Sequence, residues 1–114
     1  MRLKRKGDWA ENLALDYLTQ AGLKLVERNY RCKQGEIDLV MQDGKDLVFV
    51  EVRYRNTQKF GGALSSVDWR KQKKIISTAS QYLQTLRNTP PCRFDVIAIQ
   101  DMQKIEWLKN AFNA

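Results

Sequence analysis

Asp38, Glu51 and Arg53 are the residues of this 114-residue chain whose types and spacing point to chemistry. The two acids flank Asp43-Gly44, a dipeptide suited to the positive φ of a tight reversal, and each sits in a run of Ile, Leu, Val and Phe. Glu36 to Met41 and Leu47 to Tyr54 therefore read as a β-hairpin that carries charge. With Asp43 and Gly44 as the central turn residues, Asp38 falls opposite Phe49 and Glu36 opposite Glu51. Alternation then groups Glu36, Asp38 and Val40 with Leu47, Phe49, Glu51 and Arg53, and turns Ile37, Leu39, Val48, Val50 and Val52 the other way. Asp38 and Glu51 become diagonal neighbours, with Cβ atoms roughly 7–8 Å apart. Two carboxylates at that range suit a hard divalent cation, Mg²⁺ or Mn²⁺, which takes one or two carboxylates plus water and phosphate oxygens. Such a cation polarises a phosphoryl group or activates a water. Arg53 adds a fixed positive charge on the same face. A solvated strand face also carries alternating charge, but Leu47 and Phe49 share this one, and buried carboxylates need partners.

Composition narrows the chemistry further. The chain has no histidine, which excludes His general bases, His metal ligands and every Ser-His or Cys-His triad. Hydrolysis here has to rest on carboxylates and a metal. Cys32 and Cys92 have neither the spacing of a zinc site nor the density of a disulfide scaffold, and read as two reduced thiols. A net charge of +7 and a pI of about 9.6 favour a polyanionic partner, nucleic acid first and an anionic membrane surface behind it. No run reaches the roughly 18 apolar residues of a membrane span, so a cytoplasmic location without membrane insertion is expected.

The elements that must position these residues follow from periodicity. Asp8 can cap a helix with Glu11 as its reciprocal capping-box partner; Ala10, Leu13, Ala14, Tyr17, Leu18 and Ala21 follow at helical spacing, and Gly22 ends it. Lys4, Arg5 and Lys6 precede it as a basic arm. Leu23 to Tyr30 reads as a first strand, with Leu23 and Leu25 on one face. After the hairpin, Asn56 to Ser66 loses periodicity around Gly61-Gly62 and reads as a loop beside the site. Ser65 can cap a second helix, with Asp68 in its first turn and Ile75, Ile76, Ala79, Tyr82, Leu83 and Leu86 as its core face. Arg93 to Ile99 reads as a fourth strand, Ile105 to Leu108 as a short fifth, and Asp95 as a structural or supporting residue. The order αβββαβ predicts a single α/β domain over residues 1–114, one mixed sheet flanked by helices.

Asp38 followed by Glu51-Val52-Arg53 resembles the D…(D/E)xK signature of restriction-endonuclease-like nucleases, the PD-(D/E)xK superfamily. The fuller set, Gly7…Glu11…Ala14, Gly35-Glu36-Ile37-Asp38-Leu39-Val40, Phe49-Val50-Glu51-Val52-Arg53 and Phe94-Asp95-Val96-Ile97, resembles the YraN-like family of small bacterial proteins, itself similar to archaeal Holliday-junction resolvases. The resemblance covers about Lys6 to Trp107. It implies a restriction-endonuclease-like fold, a Mg²⁺ or Mn²⁺ site at Asp38 and Glu51 with Glu11 contributing from the first helix, DNA as substrate with branched DNA among the forms, and a homodimer. One departure stands out, since Arg53 occupies the place where most such nucleases carry Lys. Guanidinium binds phosphate well but gives up no proton at working pH.

Two functions remain open on the residues alone: a metal-dependent endonuclease using Asp38, Glu51, Arg53 and Glu11, and a nucleic-acid-binding module that keeps the fold without chemistry. A protein-interaction domain is a third. Arg55, Lys59, Arg70, Lys71, Lys73 and Lys74 are the expected nucleic-acid contacts, although a run of charge also suits a solvated helix face. If the second helix faces the ligand, replacing Lys73 and Lys74 by Ala lowers the slope of log affinity against log salt by about one unit per lost phosphate contact. An unchanged slope in a fluorescence-anisotropy titration would turn that helix away from the nucleic acid.

Overall fold

The computed structural model describes residues 6–54, 67–101 and 104–114. Helix α1 spans Lys6–Gln20, and Ala10, Ala14 and Leu18, spaced four apart, are its buried stripe. Gly22, at a φ of 104°, closes it: Gly22 N–H donates to the Thr19 carbonyl and Leu23 N–H to that of Leu18, each at 3.0 Å, which is a Schellman closure. Asp8 stands inside the first turn instead of at the expected cap, where its charge complements the helix dipole. The basic arm at Lys4 and Arg5 lies outside the described residues.

Five strands follow, β1 (Lys24–Cys32), β2 (Gly35–Asp43), β3 (Asp46–Tyr54), β4 (Cys92–Asp101) and β5 (Lys104–Phe112), with helix α2 (Trp69–Leu83) between β3 and β4. They make one sheet in the order β1-β2-β3-β4-β5. Neighbours are antiparallel except β3 and β4, the parallel pair, whose crossover is α2. This is the mixed sheet flanked by helices of the expected restriction-endonuclease-like class. The fifth strand runs to Phe112, well past Leu108, because β5 pairs with β4 as far as Phe94↔Phe112. Among the described residues no helix is long and apolar enough to cross a membrane.

The two faces of the sheet bury separate cores. On one, α1 packs Ala10, Ala14 and Leu18 onto Leu39, Met41, Val48, Val50, Ile97 and Ile99. On the other, α2 packs Ile75, Ala79 and Tyr82 onto Ile37, Val40, Leu47, Phe49, Phe94 and Val96. Aromatic rings run across this second core: Tyr30 and Phe49 each meet Tyr82 edge-on at 5.0 and 5.9 Å, and Phe49, Phe94 and Phe112 stack at 5.6 and 5.1 Å. The cap of α2 is Asp68, whose Oδ1 accepts from Lys71 N–H at 2.9 Å; it is not a first-turn residue, and Ser65 lies outside the described residues.

Two registers differ from expectation. The hairpin pairs Asp43 with Asp46, so Gly44 and Lys45 are its turn residues and Gly44 takes the positive φ of 61°. The cause is Arg93 on β4, which pairs with Asp43 at 2.9 Å and Asp46 at 3.6 Å and holds both as the last rung of the ladder. Phe49 therefore faces Val40 instead of Asp38. In β1 a bulge between Leu25 and Glu27 breaks the alternation, which leaves Leu23 buried and Leu25 43% exposed.

Gly35 begins β2 at a φ of 149°, and a Cβ built there would lie 3.1 Å from Thr78 Oγ1. Thr78 is fully buried and its hydroxyl donates to the Lys74 carbonyl at 2.8 Å, so it has no room to retreat. Gly35→Ala is expected to lower stability by about 1–3 kcal/mol through strain and contact together, read from urea unfolding. A loss that disappears in a Gly35→Ala, Thr78→Ala double variant would assign the whole effect to the contact and none to the backbone.

Candidate active site

The β2–β3 ladder ends at Leu39↔Val50. Beyond it Val52 N–H donates to Asp38 Oδ2 at 2.8 Å, so a side chain stands where the opposing backbone would have been. β2 turns about its axis at this point. Ile37, expected on the face of Leu39, joins the α2-side core with Val40. Asp38 is thereby placed in the opening between two parting strands.

Glu51 lies one step past the last rung on β3 and continues the α2-side face of Leu47 and Phe49, with its side chain only 5% exposed. Since the true register moves it opposite Asp38, the acids face one another across the end of the ladder. They are direct and not diagonal neighbours when counted on from the ladder, as the shift of the turn by one residue requires. Arg53 Nη1 approaches Glu51 Oε2 at 3.4 Å, and Lys71 Nζ from α2 approaches the same oxygen at 3.6 Å. Burial, then the Glu51 charge, pushes the Asp38 carboxyl up to about 8; the Val52 N–H opposes this, Glu11 adds to it and Lys71 opposes it. Both helices thus send a charge to one carboxyl.

Glu11 is held from β1. Arg28 Nη2 lies 3.5 Å from its Oε1 and also donates to Asn12 Oδ1 at 2.9 Å. Asn29, at a φ of 54°, with its amide nitrogen turned to the carboxylate, donates at 3.2 and 3.3 Å. Burial is the largest influence on Glu11 and raises its pKa, against the lowering by Arg28 and Asn29. Glu11 therefore acts on Asp38 through charge while its own oxygens are engaged elsewhere. Among the described residues no three His, Cys, Asp or Glu side chains are grouped to hold one metal ion. The donor set is two carboxylates, which is poor for Ca²⁺ or Zn²⁺ and adequate for Mg²⁺ or Mn²⁺ completed by water and phosphate oxygens.

Of the expected nucleic-acid contacts, Arg70, Lys73 and Lys74 are exposed on α2, while Arg55, Lys59 and the Gly61-Gly62 loop lie outside the described residues. Lys71 departs from the group by reaching into the acid pair. Its direction was available in the sequence, since Lys71, Ile75, Thr78 and Tyr82 share one helical stripe and the last three are buried. Arg28 and Asn29 carried no such signal, because nothing local ties them to Glu11. Asp95 is structural: fully buried, it accepts from Arg93 Nε at 3.1 Å, Trp107 Nε1 at 2.9 Å and Asn110 N at 2.9 Å.

The family described as "Uncharacterised protein family UPF0102" has a model that matches residues 10–99, in agreement with the YraN-like resemblance. The chain is similar to the UPF0102 protein of Janthinobacterium sp. (strain Marseille), 59% identical over 108 residues that cover 95% of this chain and 87% of that one. It is 53% identical over 114 residues to that of Pseudomonas putida (strain GB-1), covering 95% and 93%. For the protein of Legionella pneumophila (strain Philadelphia 1) the identity is 51% over 114 residues, covering 97% of each.

The raised Asp38 carboxyl has a measurable consequence. A folded-state value near 8 against an unfolded value near 4 means that the native state holds a proton the unfolded chain releases. The resulting stability is fully present below about pH 4 and is lost as pH rises toward about 8. Asp38→Asn keeps the shape and an oxygen to accept from Val52 N–H, but has no proton to lose. It should therefore be more stable than the wild type at pH 8 by at least about 1 kcal/mol, and the gap should narrow steadily toward pH 4. A gap independent of pH in parallel thermal melts would show that Asp38 ionises normally.

Proposed function

The chain belongs to the uncharacterised protein family UPF0102, and from the chemistry of its acid pair we propose that it is a metal-dependent phosphodiesterase acting on nucleic acid, DNA ahead of RNA. The observation that carries this reading is the facing of Asp38 and Glu51 at the open end of the ladder, buried enough that their repulsion favours a proton on Asp38. A site that retains a proton against two like charges is one in which a divalent cation would be held in its place. Mg²⁺ or Mn²⁺ held by Asp38 and Glu51 supplies neutralisation of the scissile phosphate and activation of a water. The remaining work falls to the chain. Val52 N–H fixes the Asp38 carboxylate in one orientation, and Glu51 is fixed by its burial on β3. Arg53, with 38% of its side chain exposed, offers a guanidinium that can offset charge developing on the phosphate. The exposed cations of α2 draw the polyanion toward the same end of the sheet.

A second reading has its own support. Arg53 and Lys71 already answer the charge of Glu51, so the site is balanced without a metal, as suits a nucleic-acid-binding module that does no chemistry. Calorimetric titration of Mn²⁺ separates the two, with binding expected for the wild type and lost in Asp38→Asn. With Mg²⁺ or Mn²⁺ the protein should cleave some nucleic acid in a panel of linear, branched, single-stranded and RNA substrates, and Arg53→Lys should match or exceed the wild-type rate, because an amine can exchange a proton with the attacking water and guanidinium cannot. If both proteins bind these substrates and cleave none, the binding module is the correct reading. Loss of activity in Arg53→Lys would instead give the guanidinium a specific two-point contact with phosphate.

A further inference from the structure

Exposed aromatic rings that the proposed chemistry does not use lie on α1, α2 and β3, the elements that supply Glu11, Lys71 and Glu51. Trp69 opens α2 with 61% of its surface exposed, the Arg70 guanidinium 5.8 Å and the Lys73 ammonium 5.1 Å from its ring centre. Two residues further on, Lys71 reaches Glu51. On the opposite face of the sheet Trp9 meets Tyr54 edge-on at 5.5 Å, each of them 42% exposed. Trp9 lies two residues before Glu11 on α1, and Tyr54 directly follows Arg53 on β3. Tyr54 thus adjoins Arg53, while Trp69 and Trp9, two residues from Lys71 and Glu11, turn outward from the helix faces that carry those side chains.

A single exposed hydrophobe carries no message, but these rings have two features in common. They stand on both sides of the sheet, on the elements that carry Glu11, Arg53 and Lys71, and the most exposed of them is interleaved with cations. A protein partner docking through apolar contact would require a continuous apolar patch, which Arg70 and Lys73 interrupt. A polyanion that also presents flat π-faces fits both parts of the surface, with phosphates on the cations and bases on the rings. A continuous duplex hides its base faces in the stack, whereas unpaired nucleotides offer them.

We propose that Trp69, together with Arg70 and Lys73, is a stacking platform for unpaired bases, that Trp9 and Tyr54 form a second one across the sheet, and that the strand led to Asp38 and Glu51 is single-stranded. This rests on the nucleic-acid reading above and adds the form of the substrate. Exposure of Trp69 to water makes its replacement harmless to the core.

The experiment is anisotropy with a labelled single-stranded oligonucleotide and a blunt duplex of equal length, in EDTA so that nothing is cleaved. The wild type should bind the single strand more tightly. Trp69→Ala should weaken single-strand binding by about tenfold and leave duplex binding nearly unchanged. Trp69→Phe should retain most of the affinity and Trp69→Leu should behave as Ala does, because stacking requires a ring and not bulk. Equal preference for the two forms, with Trp69→Ala neutral, would overturn the platform and leave nucleic-acid binding intact. Full affinity in Trp69→Leu would also overturn it, since apolar contact would then suffice. If the wild type binds neither form with salt dependence, the reading on which the platform rests fails first, and the platform with it.

Discussion

Where the β2–β3 ladder stops, the Val52 N–H of one strand is taken by the Asp38 carboxylate of the other, and the geometry of the acid pair depends on that exchange. A buried N–H left without an acceptor costs about 1–3 kcal/mol, so the carboxylate cannot swing away freely. Its fixed direction has a cost too, because it brings a second acid beside a buried Glu51. The parting of the strands creates the space, the backbone donor sets the orientation, and repulsion between the acids sets the appetite for a positive charge. None of the three would give the site alone.

The helices supply the frame in which these strands can part without unravelling. α2 is held by Tyr82 between Tyr30 and Phe49 and by Thr78 against Gly35, so it cannot slide along the sheet, and Lys71 is delivered to Glu51 at a fixed height. α1 is held by the Ala10, Ala14 and Leu18 stripe, while Arg28 and Asn29 keep Glu11 beside the opening without letting it enter.

Much of this was legible in the sequence, for reasons that particular residues make plain. The nearness of Asp38 to Glu51 follows from a two-residue turn at either position, so it survived an error in register. The register itself depended on Arg93, some fifty positions away, and no local pattern announces an ion pair that selects between Asp43-Gly44 and Gly44-Lys45. Ile37 broke alternation because the strand twists where its partner departs, which is a tertiary event. The cap of α2 lies three residues past the expected Ser65, since Ser and Asp are equally good caps by type, and it is Asp68 that accepts from Lys71 N–H. Charge runs on α2 suggested phosphate contacts, yet the stripe shared by Lys71 with Ile75 and Tyr82 held information that charge alone concealed.

The cluster in which Arg93 faces Asp43, Asp46 and Asp95 does more than set a register. Asp95 also accepts from Trp107 Nε1 and Asn110 N on β5, so the tip of the hairpin, β4 and β5 are tied into one unit at this end. A load placed on the hairpin tip is thereby passed across three strands instead of being taken up by the turn, and the parted ends of β2 and β3 are braced from far along their own length.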